Sequence, residues 1–156
     1  MSGLAHGIFG LWLASAASAG LTLETLDGAR FAPAPSGGAT MLMFWRADCA
    51  PCLAELRDAR SYIEAASPGR LFFVGLQDAD ALRRAAVKAG LPLERVLRAD
   101  GPPAAILDAL GGPPPRLPLA VTLDSAGRIC ARHSGLLGTD LVRRWEQLCG
   151  GSHAED

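Results

Sequence analysis

Charge of one sign is missing from this sequence. Its 156 residues carry 15 Lys and Arg against 16 Asp and Glu, a formal net charge of −1. A nucleic-acid binder shows a basic face or stripe, and neither is present. Long apolar runs are missing too. The longest near the N-terminus, Ile8 to Ala14, is too short to span a bilayer as a permanent helix. There are no internal repeats and no linker-like internal segment. Gly101 and the Gly111-Gly112 pair read as turns and match no phosphate-binding loop. Cysteine is scarce, with four residues in all, too few for a disulfide-built miniprotein of this length. What is present is apolar: 49% hydrophobic and 20% charged residues exclude disorder of the whole chain. One domain of this size buries a core without staples, so the cysteines need another explanation.

The first 20 residues, MSGLAHGIFGLWLASAASAG, place small residues after the apolar stretch. Ala17-Ser18-Ala19 fits the A-x-A pattern of a signal-peptidase site, with the cut expected after Ala19. Residues 1–19 are thus read as an export signal, 20–150 as the folded domain and 151–156 as a polar tail. Before the apolar stretch stand only the terminal amine and His6, so an apolar helix or an uncleaved anchor remains an alternative. No cysteine follows the stretch, which argues against a lipoprotein anchor. Export to the periplasm would let disulfides persist.

Leu21, Leu23 and Leu26 punctuate a polar stretch around the turn signal Asp27-Gly28, which predicts short extended pieces. Thr40 to Trp45 and Leu71 to Leu76 are unbroken apolar runs, the pattern of strands covered on both faces of a parallel sheet. Between them, Leu53, Leu56, Ala59 and Ile63 recur at near-helical intervals, which predicts one helix from Pro51 to Ala66. A second helix is expected over residues 79–89, ended by Gly90, and a short third over residues 103–110. A proline-dense stretch to Pro118 precedes a predicted hairpin, with residues 119–123 and 128–133 flanking Asp124-Ser125-Ala126-Gly127. Thr139 is expected to cap a final helix with Leu141, Trp145 and Leu148 as its buried stripe. The order β, α, β, α, short α, hairpin, α predicts one α/β domain with a mixed sheet.

Cys49 and Cys52 lie in WRADCAPC, where a strand gives way to a helix. The first helical turn has unpaired N–H groups and a partial positive charge, which stabilise a thiolate at Cys49. Cys52, three residues on, shares that helix face and can attack a mixed disulfide formed at Cys49. Zinc sites also use this spacing, but a structural zinc takes four ligands, usually from two such pairs. This chain offers one pair, two isolated cysteines and His133. A purely structural Cys49–Cys52 bridge is the other alternative, and the strand-to-helix position argues against it. Asp48 is expected to oppose the helix-terminus effect, because a carboxylate beside Cys49 disfavours the thiolate.

Four stretches, LETLDG, FWRADCAPC, LPLAVTLDSAGRI and HSGLLGTDLVRRWEQL, together resemble the exported TlpA/ResA-type thiol–disulfide oxidoreductases, from Leu21 to about Cys149. The resemblance implies a thioredoxin-like three-layer α/β/α sandwich with a short N-terminal β extension. It implies a cis peptide before Pro118, facing the Cys49–Cys52 pair. Trp45, Ala50, Pro51, Leu117 and Pro118 would contact substrate, with the Leu117 backbone pairing with an incoming strand. Glu55 matches a glutamate held to tune the thiols or relay protons; a solvated helix glutamate is the alternative. The family's proline two residues beyond it is replaced by Arg57. No cofactor or metal is implied beyond the redox-active Cys49–Cys52 pair.

Cys130 and Cys149 stand at the start of the last strand and the end of the last helix. A bridge between them would staple that helix to the sheet; two buried free thiols are the alternative. The expected activity is exchange of a dithiol with protein disulfides by a monomer, as a reductant fed by a membrane thiol reductant. Assembly of cytochrome c or of copper sites is the expected setting. Strong oxidases of this fold carry a histidine between the cysteines, absent here. A disulfide oxidase or isomerase, and a copper-handling chaperone using the same thiolates, are the competing readings.

Overall fold

The computed structural model describes residues 21–32, 38–110 and 116–151. The expected export signal, the Gly111-Gly112 turn and the tail beyond Gly151 lie outside the described residues. The Asp27-Gly28 turn joins Leu23–Thr25 (β1) to Arg30–Phe31 (β2) as an antiparallel hairpin. The apolar runs become Thr40–Trp45 (β3) and Arg70–Gly75 (β4), paired in parallel. Val96–Ala99 (β5) extends this parallel set beside β4. Leu119–Leu123 (β6) and Ile129–Ser134 (β7) form the antiparallel hairpin, and β6 pairs antiparallel with β3. The seven strands run in the order β2-β1-β5-β4-β3-β6-β7.

β3 alternates its side chains between two cores. Met41, Met43 and Trp45 meet Leu71 and Phe73 in one core; Leu42 and Phe44 meet Phe72 and Val74 in the other. The first core is covered by Ala50–Glu55 (α1), Ala59–Ala65 (α2), Ala79–Ala89 (α3) and Thr139–Gly150 (α5). The second lies under Pro103–Ala109 (α4), through Ile106 and Leu110. The result is a three-layer α/β/α sandwich with a mixed sheet. Gly75 permits one close approach: a Cβ there would stand 2.1 Å from the Leu82 side chain of α3.

Four expectations need correction. β5 was absent from the predicted order. Its four residues, with half-buried Arg98 among them, are too few to show a period, and only pairing with β4 and β1 makes them a strand. The single helix over residues 51–66 is divided by a 3-10 turn at Leu56–Asp58. Tyr62 is buried where Ile63 was expected to be, and Leu53 is 37% exposed. The cap of α5 is Gly138, at φ 71°, and Thr139 is its first helical residue. The helix therefore buries Val142, Trp145, Glu146 and Cys149, while Leu148 is exposed.

Candidate redox site

The parallel pairing of β3 with β4 ends at Trp45 and Gly75, and the chain then turns into α1. The turn is tied twice. The Cys49 N–H donates to the Arg46 carbonyl at 3.3 Å, and the Ala47 N–H donates to Gln77 Oε1 at 2.6 Å. Cys49 is the N-cap of α1, in an extended conformation, and its Sγ accepts the Cys52 N–H at 3.3 Å. The sulfur thus occupies the position of a capping oxygen, where the helix has a spare donor and a partial positive charge. Pro51 fits the first turn because its missing N–H would have had no helical partner.

Cys49 and Cys52 are joined in a disulfide with Cα atoms 5.2 Å apart. The two sulfur positions are unequal in burial. Cys49 is half-buried beside exposed Ala50 and Pro51, whereas Cys52 has no exposed surface. An incoming group reaches the Cys49 side of the bond first. The peptide between Leu117 and Pro118 is cis. Antiparallel pairing of Leu119 with Phe44 brings this peptide to the same end of the sheet as the Cys49 turn. Pro118 is buried and Leu117 half-buried. The Pro118 carbonyl accepts the Gly135 N–H at 2.9 Å, which ties the loop before α5 to this corner.

Glu55 is 2% exposed, which excludes a solvated helix glutamate. Its Oε1 accepts the Tyr62 hydroxyl at 2.9 Å and also the backbone N–H of Leu137. Burial, then the bond to Glu55, pushes the Tyr62 phenol up to about 12. Trp45, expected to touch substrate, has no exposed surface; it supports the cysteine turn from beneath. Asp48 does not stand alone beside Cys49. Both its oxygens accept from Arg46, at 2.8 and 2.9 Å, and this pairing holds the Asp48 carboxyl below its usual range.

Cys130 and Cys149 form the second disulfide, Cα to Cα 5.9 Å, between β7 and α5. His133 Nε2 lies 2.7 Å from the Leu136 carbonyl, and its ring stands edge-on to Trp145. Among the described residues no group of three or more His, Cys, Asp or Glu is placed to hold a metal ion. No helix among them is long and apolar enough to cross a membrane.

Sequence reasoning missed Gln77, Tyr62 and Leu137. Gln77 was findable in principle, since it follows the strand parallel to β3 and so must end near the same turn. Tyr62 and Leu137 carried no local signal, because their roles depend on how α2 and the loop 135–138 fold against α1.

No family model matches the chain, and no curated protein matches it. Solved structures do. A DsbF homologue from Corynebacterium diphtheriae superposes with a TM-score of 0.64 at 18% identity, covering 80% of this chain and 82% of that one. A secreted Mycobacterium tuberculosis disulfide oxidoreductase homologous to E. coli DsbE gives 0.58 at 22% identity, over 83% and 96%. StoA from Bacillus subtilis gives 0.61 at 20% identity, over 80% and 93%. Identities this low speak for shape, and that shape together with the helix-capping cysteine pair places the chain in the thioredoxin fold.

Proposed function

We propose that the protein is a thiol–disulfide oxidoreductase whose reduced form transfers two electrons to a protein disulfide. The observation that carries this reading is the inequality of the pair: Cys49 caps α1 at the surface and Cys52 is sealed beneath it. In the reduced form the Cys49 thiolate attacks one sulfur of the partner disulfide. A Cys49–partner bond forms and the other partner sulfur leaves as a thiolate. Cys52 then gives up its proton, with Glu55 one helical turn away as the acceptor, and attacks Cys49 Sγ. The Cys49–Cys52 bond re-forms, the second partner thiolate leaves, and the partner is reduced by two electrons.

Ala50 and Pro51 are exposed beside Cys49, and the Leu117 backbone before cis Pro118 is the proposed partner for an extended substrate segment. Leu53, next to Cys52 in α1, and Leu136, in the loop tied to the Pro118 carbonyl, are exposed and are the proposed apolar contacts for that segment. We assign the direction as reductive because Ala50-Pro51 brings no charge or donor to stabilise a Cys49 thiolate beyond the helix terminus. Export, setting and partners follow from the resemblance to the exported TlpA/ResA-type oxidoreductases. The chain is exported by residues 1–19, acts as a monomer in the periplasm through domain 20–150, and receives electrons from a membrane thiol reductant. Its targets are cysteines of apocytochrome c or of a copper site.

Cys52→Ser halts the cycle at the mixed disulfide. Expressed in an exporting host, it is expected to accumulate dithiothreitol-sensitive adducts that Cys49→Ser does not form. Absence of adducts from Cys52→Ser, or equal adducts from both, refutes the mechanism. The reduction potential of the pair tests the direction, and a value near that of a strong oxidase reverses it.

A further inference from the structure

Glu55 is buried in α1, three residues after Cys52. Two donors meet on one of its oxygens. The Tyr62 hydroxyl donates to Glu55 Oε1 at 2.9 Å. The Leu137 N–H donates to the same Oε1. A phenol has one proton, and in this bond it is given to Glu55. The phenol stays protonated at every working pH, since it titrates only at about 12. Oε1 therefore holds two donors and has no room for a third proton, whereas no hydrogen bond reaches Oε2 among the described residues.

We infer that Tyr62 is a positioning residue of the resolving step: it saturates Glu55 Oε1, so that the proton leaving Cys52 is taken up at Oε2. The inference rests on the exchange reaction proposed above and assigns the part that α2 plays in it. The geometry also explains the 3-10 turn at Leu56–Asp58, which lies between α1 and α2 and sets how Tyr62 reaches back seven residues to Glu55. Tyr62 is 3% exposed and packs in the core with Leu56 and Ala59, so its ring also has a structural role. The hydroxyl and the ring must therefore be tested separately.

Removing the hydroxyl takes away one of the two donors that hold Oε1 and so frees the carboxylate to turn, which is expected to move the onset of the resolving step to higher pH. The reduced protein is mixed with an aromatic disulfide that releases one coloured thiolate when Cys49 attacks and a second when Cys52 resolves. In Tyr62→Phe, which keeps the ring, the pH midpoint of the second release is expected to rise by about one unit, with the first release unchanged. Tyr62 is the chain's one tyrosine. Biosynthetic replacement by a ring-fluorinated tyrosine, a stronger donor, thus labels this site alone and is expected to move the midpoint down. Its fluorine resonance should titrate with that same midpoint. In a Glu55→Gln background neither change at position 62 should matter. Superimposed profiles for wild type and Tyr62→Phe, or a shift that survives Glu55→Gln, overturn the inference alone. A wild type that releases no second thiolate overturns dithiol exchange itself and the inference with it.

Discussion

Removal of the Cys130–Cys149 bridge should cost this domain a large part of its stability while leaving the redox pair intact. The perturbation is the double change Cys130→Ala/Cys149→Ala, which leaves no unpaired thiol. The bridge spans 19 positions and encloses most of β7, the loop 135–138 and nearly all of α5. In the chain-entropy model, cross-linking a loop of about 20 residues stabilises by ~3 kcal/mol, because the unfolded chain is restricted. Cys149 is 3% exposed, so truncating it also removes buried contacts. That adds up to ~1 kcal/mol on the scale of a buried methylene. Cys130 is exposed and adds little. The expected loss is therefore ~3–4 kcal/mol, a drop of about 10 °C or more in Tm for a domain of this size. Urea unfolding, with Cys49–Cys52 kept oxidised in both proteins, reads it directly. The m-value should also rise, since an uncrosslinked unfolded chain exposes more surface. A double variant within ~0.5 kcal/mol of wild type refutes the reasoning: the bridge would then restrict the unfolded chain too little to matter. A loss with unchanged m would place the effect in the native state rather than the unfolded chain.

Two further predictions concern charge. Glu146 is 8% exposed on α5, and burial raises its pKa against the opposing N–H groups of Ala39 and Gly69. A carboxyl whose folded pKa exceeds its unfolded one favours folding most below the unfolded value, and that contribution is lost as pH rises through the folded one. Glu146→Gln should therefore gain stability relative to wild type between about pH 4 and pH 7, and parallel urea-midpoint curves across that range would contradict this. The second prediction uses the Arg46–Asp48 pair beside Cys49. Arg46→Ala leaves the Asp48 charge uncompensated and should slow attack by Cys49 about threefold at low salt, an effect that Asp48→Ala in the same chain cancels and that salt screens. Equal rates for wild type and Arg46→Ala would show that Asp48 has no influence on the thiol.

Local pattern was a sound guide wherever the element was long or doubly covered. β3 and β4 announce themselves as apolar runs because both faces are buried, and α3 because its Gly90 stop is explicit. β5 was invisible because four residues cannot display a period. The rotation of α5 was misjudged by one residue at its start, and Leu148 was accordingly placed inside although it is 60% exposed.

By itself the sequence determined that a cysteine pair opens a helix after a buried strand, and that a proline directly precedes a hairpin. Those are matters of spacing and of what a strand end, a helix start and a proline ring can do. Which cysteine is sealed, which residues hold Glu55, and how the charge of Asp48 is balanced were decided by tertiary structure. Tyr62 and Leu137 lie seven and 82 positions from the carboxylate they serve. Nothing local in a sequence records such a meeting, because it is produced by packing α2 and the α5 loop against the same corner of the sheet.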